Sequence, residues 1–394
     1  MFNNFYKGKR VFLTGHTGFK GSWLAEWLLL LGAEVHAYSQ PPKPHQILYS
    51  QLDLESRLAS NTYGDITDFS YINKCIHKVK PNVVLHLAAQ PLVRLSYENP
   101  VETFNTNIIG TVHILESLRM LENPCTIVCI TTDKCYENRE WLHSYREEDP
   151  VGGYDPYSAS KGAAELVISS YRRSYFSACD QVRLASARAG NVIGGGDWSC
   201  DRIVPDCMRA LRKGHTIPVR NKTSTRPWQH VLEPLSGYLW LAASLALADK
   251  LGTQASQNEI EMYSQSSYSL TPHSYLHRSS SLGALNSSFN FGPNLNSNRT
   301  VAELVQELLK HTGGQWQDHS DPNILHEASK LNLAIDKAFH LLKWQPVWDF
   351  KQSIAATAEW YISEARGIAP ADLTTQQIKC YHQDSVALGL PWAI

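Results

Sequence analysis

A tyrosine and a lysine four residues apart, Tyr157 and Lys161, form the pair in this sequence with the clearest capacity for chemistry. On a helix these two side chains lie on the same face, one turn apart. The positive charge of the lysine favours the phenolate and lowers the pKa of the tyrosine, so that the phenol can act as a base near neutral pH. Because this spacing is common on ordinary helices, its meaning depends on the elements around it.

A glycine-rich loop near the N-terminus predicts a dinucleotide site. It joins an apolar strand at residues 10–14 to an apolar helix at 22–31, and a second strand follows at 34–39. Glycines spaced three apart let the backbone turn sharply, approach a pyrophosphate and direct the helix N-terminus toward its negative charge. The residues of this loop expected at the cofactor are Gly15, Thr17, Gly18, Phe19 and Gly21.

The second strand ends at Ser39 and Gln40, where such sites often carry an acidic residue for the adenosine ribose. A hydroxyl or an amide can hydrogen-bond the ribose instead. No arginine stands beside it to bind the 2′-phosphate of NADP, and Lys43 is the nearest cation. We therefore favour NAD and keep NADP as the alternative. Asp65 and Ile66 are expected at the cofactor, with Asp65 on the adenine edge, although a plain turn explains Asp65 nearly as well.

Length, charge and composition favour an enzyme that acts on a small molecule. The chain has 394 residues, enough for one large α/β domain and a smaller one. Its net charge of −1 offers no broad electrostatic footprint for nucleic acid or for an anionic membrane. No signal segment or membrane-spanning stretch is visible, and the cysteines lack zinc-type spacing. We expect a cytoplasmic protein with reduced thiols.

Strands and helices alternate through the first half of the sequence. Further strands are predicted at residues 82–87, 126–131 and 182–188, and helices at 105–120 and from 157 onward. This alternation predicts an α/β fold with a Rossmann-type, doubly wound parallel sheet, whose ligands gather at the carboxyl ends of the strands.

A polar segment, Thr132, Asp133 and Lys134, directly follows one of these strands. It would place a hydroxyl, a carboxyl and an ammonium in the same crevice as Tyr157. The alternative is a polar cap of the loop, in which Asp133 only binds backbone amides.

The second half predicts a smaller C-terminal α/β substrate-binding domain. We place the dinucleotide-binding domain at residues 1–190 and the substrate domain mainly at 191–394. A Ser-rich stretch at about 252–288 predicts a flexible surface insertion. His273 and His277 within it have no accompanying ligand, and no metal site is expected. Helices of the second half are predicted at 204–213, 234–251, 300–312 and 350–365.

Together these motifs resemble those of the extended short-chain dehydrogenase/reductases, and most closely those of the CDP-glucose 4,6-dehydratases. The resemblance covers nearly the whole chain. The glycine motif and the Tyr-Lys pair mark only the superfamily, whereas GGGDW at 194–198 and RPWQHV at 226–231 are the specific segments. Thr-Asp-Lys at 132–134, where the related dTDP-glucose enzymes have Thr-Asp-Glu, indicates the same subfamily.

The resemblance implies a lyase that converts CDP-glucose to CDP-4-keto-6-deoxyglucose and regenerates NAD in each turnover. Tyr157 would take the proton of the sugar 4-hydroxyl, Lys161 would hold the phenolate and the nicotinamide ribose, and Thr132 would bind the 4-oxygen. Asp133 would protonate the leaving 6-hydroxyl. Lys134 replaces the Glu assigned as the C5 base in the dTDP-glucose relatives. It would act either as a neutral base or as an ammonium that stabilises the enolate.

The resemblance also implies further contacts and a partner. Arginines suit bidentate contacts with a diphosphate, and an aromatic face can stack on a base. A homodimer is expected through a four-helix interface built from helices at 105–120 and 157–174. Cofactor contacts are expected from Leu87, Ala88 and Ala89, and substrate contacts from Asn191, Arg202, Arg226, Trp228, His230 and Arg299.

Two other functions stay open from the sequence. A nucleotide-sugar 4-epimerase or 4-keto reductase would use the same tyrosine and cofactor, but the Thr-Asp-Lys segment argues against it. A non-catalytic, dinucleotide-sensing scaffold would be expected to lack Tyr157 or Lys161, and both are present. A 6-deoxy product distinguishes the dehydratase from the first, and retention of the cofactor distinguishes it from the second.

Overall fold

A seven-stranded parallel sheet forms the centre of the protein, and a computed structural model describes residues 1–176, 181–263, 284–320 and 330–394, with the backbone alone at 249–263. Its strands are β1 (Arg10–Thr14), β2 (Glu34–Ser39), β3 (Ser60–Tyr63), β4 (Val83–His86), β5 (Cys125–Ile130), β6 (Val182–Ala189) and β11 (Ser288–Phe291). They lie in the order β3-β2-β1-β4-β5-β6-β11, and every neighbouring pair is parallel. This is the doubly wound order, so the predicted fold class is confirmed.

Helices cover both faces of this sheet. Those of the first half are α1 (Phe19–Leu30), α2 (Ile47–Gln51), α3 (Leu54–Arg57), α4 (Phe69–Val79), α5 (Val93–Glu98), α6 (Pro100–Phe104), α7 (Gly110–Arg119) and α8 (Pro156–Tyr171). Those of the second half are α9 (Ile203–Arg212), α10 (Leu232–Tyr263), α11 (Val301–Thr312), α12 (Asp336–Leu342), α13 (Phe350–Ala365) and α14 (Pro370–Ala387). Short strands outside the main sheet are β7 (Val192–Ile193), β8 (Ile217–Val219), β9 (Thr225–Pro227), β10 (Gln229–His230), β12 (Asn298–Thr300) and β13 (Trp316–Asp318).

The central strands are apolar on both faces because each face packs against helices. Val11 and Leu13 of β1 belong to the core that contains α1 and α10, whereas Phe12 belongs to the core that contains α4 and α7. Every residue of β4, β5 and β6 is buried. The continuous apolar runs of these strands therefore follow from the two covered faces.

The helix predicted at 105–120 starts earlier than its sequence pattern indicates. It begins with α6 at Pro100 and continues into α7 through one π-helical turn, Asn105–Ile109. Within that turn the Asn107 side chain accepts a hydrogen bond from the Gln90 backbone and donates to Ser160 on α8. The widened turn thus ties the segment after β4 to the helix that carries the Tyr-Lys pair.

The second half is not confined to a separate body. Strand β11 returns to the edge of the main sheet beside β6, and α10 packs on β5 and β6. The division at residue 190 stays a prediction, and these two elements lie with the first half. His273, His277 and most of the Ser-rich stretch lie outside the described residues.

Two further properties concern the described part of the chain. Across the described ranges, no helix combines the length and apolarity needed to cross a membrane. The seven cysteines in those ranges are free thiols. Four of them, at positions 125, 129, 135 and 207, are buried.

Candidate active site

A cleft of about 1300 Å³ opens at the carboxyl ends of the parallel strands. It is bordered by the glycine loop after β1, the segments after β4 and β5, the start of α8 and parts of the second half. All of the site residues predicted from the sequence line this cleft except His230 and Arg299. The fold therefore brings together residues that lie up to about two hundred positions apart in the sequence.

The glycine loop leaves its backbone open to a ligand. Gly15 has a φ of +79°, and a Cβ at this position would lie 2.8 Å from the Ala88 nitrogen. A Cβ at Gly21 would overlap the Gly15 carbonyl oxygen. Gly18 precedes α1 without any side-chain cap, so the first N–H groups of the helix face the cleft. This cradle fits the pyrophosphate of a dinucleotide.

The end of β2 is closed by hydroxyl and amide groups. Thr17 Oγ1 lies 2.8 Å from Ser39 Oγ, and Gln40 Nε2 donates to Asp65 Oδ2 at 2.7 Å. Asp65 also accepts two hydrogen bonds from Thr67. Gln40 thus holds the carboxylate of Asp65 at the cleft wall, where it can meet the ribose in place of the missing strand-end acid.

The segment after β5 places three functional groups beside Tyr157. Thr132 Oγ1 donates to Asp133 Oδ1 at 2.9 Å and makes a side-chain hydrogen bond with Tyr157. The ammonium of Lys134 lies 3.8 Å from Asp133 Oδ1 and donates to Asn191 Oδ1 at 3.4 Å. Thr132 also caps the turn, because its Oγ1 accepts a hydrogen bond from the Lys134 backbone N–H at 3.3 Å.

Burial dominates the pKa values of the Tyr-Lys pair. Desolvation raises the pKa of Tyr157, while its hydrogen bond with Thr132 and the charge of Arg202 oppose this rise. Desolvation lowers the pKa of Lys161 to about 8, and Glu165 opposes this change. The lowering of the tyrosine pKa by Lys161, which the spacing predicts, is not among the leading effects on Tyr157.

The start of α8 is held by polar contacts that fix the direction of the Tyr157 side chain. Asp155 caps the helix through the Ser158 backbone and hydroxyl, and Pro156 opens it. The backbone N–H of Tyr157 donates to Ser96 Oγ on α5. These contacts satisfy helix N–H groups that would otherwise lack partners.

One turn beyond Lys161, the buried carboxylate of Glu165 anchors α8 to the sheet. It forms an ion pair with Arg188 of β6 at 2.8 Å and accepts hydrogen bonds from Thr131 and Ser186. Arg188 also donates to the Tyr136 hydroxyl. Breaking such a buried pair from one side costs about 3–5 kcal/mol, so α8 cannot shift independently of β5 and β6.

The second half contributes the opposite wall of the cleft. Arg202 forms an ion pair with buried Asp197 at 2.8 Å and faces the catalytic residues. Arg226 and Asn191 also line the wall. Trp228 is only 4% exposed, because its indole N–H donates to the Arg299 backbone carbonyl. Trp228 can therefore present one edge of its ring to a ligand.

Two predicted substrate residues, His230 and Arg299, lie outside the described lining of the cleft. His230 is fully buried in β10, and its ring packs between Trp23 and Trp348. The Arg299 side chain is half-exposed beside Glu303, and only its backbone acts, through Trp228. The RPWQHV segment leads from the cleft into the core, so residue type alone could not show which members of it face the ligand.

Sequence reasoning missed several cations of the cleft. Lys20, in the glycine loop itself, lines the cleft near Asp133, Lys134 and Lys161. Arg94 and Arg220 both pair with Asp201 at the cleft mouth, at 3.2 and 2.9 Å. An ammonium between two glycines of the fingerprint was a visible signal, whereas the meeting of Arg94 with Arg220 depends on tertiary structure.

The chain is similar to known nucleotide-sugar dehydratases. The family described as GDP-mannose 4,6 dehydratase matches residues 12–268. A CDP-glucose 4,6-dehydratase of Salmonella typhimurium is 42% identical over 92% of this chain and 93% of its own length. A GDP-mannose 4,6-dehydratase of Vibrio cholerae is 31% identical over 61% of this chain and 60% of its own length.

Solved structures of related enzymes share the fold. A dTDP-glucose 4,6-dehydratase from Streptomyces venezuelae, solved with NAD and TYD bound, aligns with a TM-score of 0.70. The alignment covers 92% of this chain and 99% of that chain at 21% identity. A UDP-glucose 4-epimerase from Thermotoga maritima aligns with a TM-score of 0.69 at 19% identity, over 91% of this chain and 99% of that one. At these identities the likeness extends to the fold alone.

Gly190 offers a test of the position of Asp133. A Cβ at residue 190 would lie 2.7 Å from Asp133 Oδ2, so Gly190→Ala should displace this carboxylate. We expect kcat with CDP-glucose, the substrate named for the Salmonella relative, to fall by roughly ten- to a hundredfold. In an Asp133→Asn background the same substitution should cost little, because its target is already lost. Equal losses in both backgrounds would contradict this assignment.

Proposed function

We propose that this chain, which belongs to the GDP-mannose 4,6 dehydratase family, converts CDP-glucose to CDP-4-keto-6-deoxyglucose and water. The observation that carries the proposal is the meeting of Tyr157 and Asp133 in one cleft. The first supplies a base for a hydroxyl proton and the second an acid for a leaving hydroxyl. The choice of CDP-glucose is supported by 42% identity to the Salmonella enzyme over nearly the whole chain. The protein is a lyase with NAD as its cofactor.

NAD fits the half of the cleft that surrounds the glycine loop. When bound, NAD accepts a hydride from C4 of the glucose unit and later returns it to C6. The uncapped start of α1 suits the pyrophosphate, and Asp65 suits the adenosine ribose. The residues that would hold the cofactor are Gly15, Thr17, Gly18, Phe19, Gly21, Asp65, Ile66, Leu87, Ala88, Ala89, Tyr157 and Lys161.

The first step is the removal of the 4-hydroxyl proton by Tyr157. Burial raises the pKa of this tyrosine, so a phenolate needs nearby positive charge. Lys161, with a pKa of about 8, is charged at neutral pH, and Arg202 adds a second cation. Thr132, which lies beside the phenol, would hold the sugar 4-oxygen.

The second step is the loss of water across C5 and C6. A ketone at C4 makes the C5 proton acidic, and its removal forms the C5–C6 double bond as the C6–O bond breaks. Asp133, which is 2% exposed, gives the departing hydroxyl its proton. When the hydride returns to C6, Lys134 would give the proton back to C5. The proton taken by Tyr157 balances the one given by Asp133, so one water is the only net loss.

Lys134 acts on the C5 proton as the partner of Asp133. As Asp133 gives up its proton, Lys134 accepts the proton of C5. The resulting ammonium and carboxylate then stabilise each other across the 3.8 Å that separates them. Asn191 keeps the Lys134 side chain directed into the cleft.

The sugar nucleotide would lie against the wall formed by the second half. Arg202 and Arg226 line this wall and would bind the diphosphate, since a guanidinium group binds two oxygens at once. Asn191 joins Lys134 at the sugar, and the exposed edge of Trp228 can contact the base.

A direct assay tests the proposed reaction. The purified protein should remove one water from CDP-glucose, detected by mass spectrometry, without net accumulation of NADH. UDP-glucose and dTDP-glucose serve as matched substrates and should react far more slowly. A product of unchanged mass would indicate an epimerase, and absence of reaction with all three sugars would refute the dehydratase assignment.

Substitution of Lys134 separates its two roles. Arginine keeps the positive charge but cannot accept a proton near neutral pH. If Lys134 is the base at C5, neither arginine nor methionine can replace it. Lys134→Arg and Lys134→Met should then both lower kcat by roughly a hundredfold or more. Both variants should also slow the uptake of deuterium at C5 in D₂O. An arginine variant that keeps most of the activity would instead assign an electrostatic role to the ammonium.

We propose further that the chain forms a homodimer through α6, α7 and α8. These helices pack together and expose apolar side chains, Val101 at 72% and Leu166 at 61%, with Ile109 beside them at 43%. Each subunit would contribute two helices to a four-helix interface, the continuous helix of α6 and α7 and the helix α8. This interface would bury these residues.

The mass of the protein in solution tests this dimer. The double variant Val101→Glu, Leu166→Glu should shift the mass measured by light scattering to that of a monomer, because charges would be buried at the interface. Leu295→Glu, at a residue that is equally exposed on another part of the surface, is the control and should leave the mass unchanged. A dimer that survives the double variant would place the interface elsewhere.

The free thiols of the described cysteines favour a reducing compartment. We therefore assign the protein to the cytoplasm. Its recovery from an oxidising compartment in cell fractions would overturn this assignment.

A further inference from the structure

Lys20 is a cation of the cleft that the proposed reaction leaves without a role. It is the second residue of α1 and lies between Phe19 and Gly21 of the glycine loop. Its side chain is half-buried and lines the cleft. It extends toward Tyr238 on α10, with Nζ 5.9 Å from the ring centroid.

The surroundings of Lys20 place its ammonium at the catalytic end of the cleft. Desolvation lowers the pKa of Lys20 to about 7, and the charge of Arg202 acts in the same direction. Lys161 and Lys134 add to this effect, whereas Asp133 opposes it. These are the residues around the reacting sugar carbons and not those near the adenosine.

Within the described ranges, no carboxylate forms an ion pair with Lys20, because each nearby acid has another partner. Asp133 accepts from Thr132 and lies close to Lys134. Asp197 is paired with Arg202. A partly buried ammonium without an anion is costly, so its charge is available to act on a ligand.

We propose that Lys20 sets the redox preference of the bound cofactor by favouring the reduced nicotinamide over the oxidised one. The oxidised ring carries a positive charge and the reduced ring is neutral, so the positive charge of protonated Lys20 at the catalytic end destabilises only the oxidised form. This favours withdrawal of the hydride from C4, the step that starts the cycle. The inference rests on the proposed function, since that chemistry requires the nicotinamide at this end of the cleft.

A contact with the pyrophosphate is the competing explanation. Lys20 belongs to the loop that would bind this group, and a lysine there would also strengthen cofactor binding. The pyrophosphate is the same in NAD⁺ and NADH. Loss of a phosphate contact would therefore weaken both forms equally, whereas loss of a charge near the nicotinamide changes their ratio.

The experiment measures that ratio directly. Holoenzyme is equilibrated with mixtures of NAD⁺ and NADH of known composition, and the bound fraction of each is determined after rapid gel filtration. At pH 6, below its pKa of about 7, Lys20 carries its charge. There we expect Lys20→Met to reduce the preference for NADH by roughly tenfold, the size expected for one unit charge several ångströms away in a partly buried site. Lys20→Arg should keep the wild-type preference. Lys43→Met removes a cation from the other end of the cleft and should leave the ratio unchanged.

The outcomes separate the explanations. An unchanged ratio in Lys20→Met overturns the proposal, whether total cofactor binding is weakened or not. If the methionine variant does not fold, Lys20→Gln is measured against the same criterion. The measurement needs no sugar nucleotide, so failure of the dehydration assay with a shifted ratio would refute the proposed reaction alone. A working dehydratase with an unshifted ratio would refute the role of Lys20 alone.

Discussion

The buried ion pair between Glu165 and Arg188 is the constraint on which the rest of the site depends. It joins α8 to β6, and through Thr131 it also joins α8 to the end of β5. On the far side of Arg188, Tyr136 donates to Asn290 of β11, so the chain of contacts crosses the sheet to its edge strand. Two charges are removed from water here, and only the complete set of hydrogen bonds compensates for that cost.

This anchor explains how two catalytic segments keep their relative positions. Tyr157 and Lys161 lie on α8, whereas Thr132 and Asp133 follow β5, and no covalent link shorter than twenty residues connects them. Helix α8 is held at two places. Asp155 and Ser96 hold its start, and Glu165 holds it further along. The phenol, the hydroxyl and the carboxyl therefore stay together in a cleft that must also admit a cofactor and a sugar nucleotide.

Charge is distributed unevenly over this cleft, and the imbalance suits the chemistry. Lysine and arginine side chains outnumber the carboxylates at the catalytic end, and Asp197 is already neutralised by Arg202. An excess of positive charge stabilises a phenolate, an enolate and a diphosphate, and it disfavours a cationic nicotinamide. Burial, together with the neighbouring cations, lowers the pKa of Lys20 to about 7, so the charge of this amine depends on pH in the physiological range.

The sequence by itself determined the elements that depend on local pattern. Apolar runs separated by helical periodicity specified the parallel sheet, the glycine spacing specified a dinucleotide loop, and Tyr157 with Lys161 specified a reactive pair, because each of these needs only neighbours along the chain. Tertiary structure alone decided which side chains face the cleft. His230 of the RPWQHV segment lies in the core, whereas Lys20 of the glycine loop lines the cleft. Tertiary structure also decided that β11 pairs with β6 at the edge of the main sheet. Strand order and side-chain burial are set by packing between distant segments and not by local sequence.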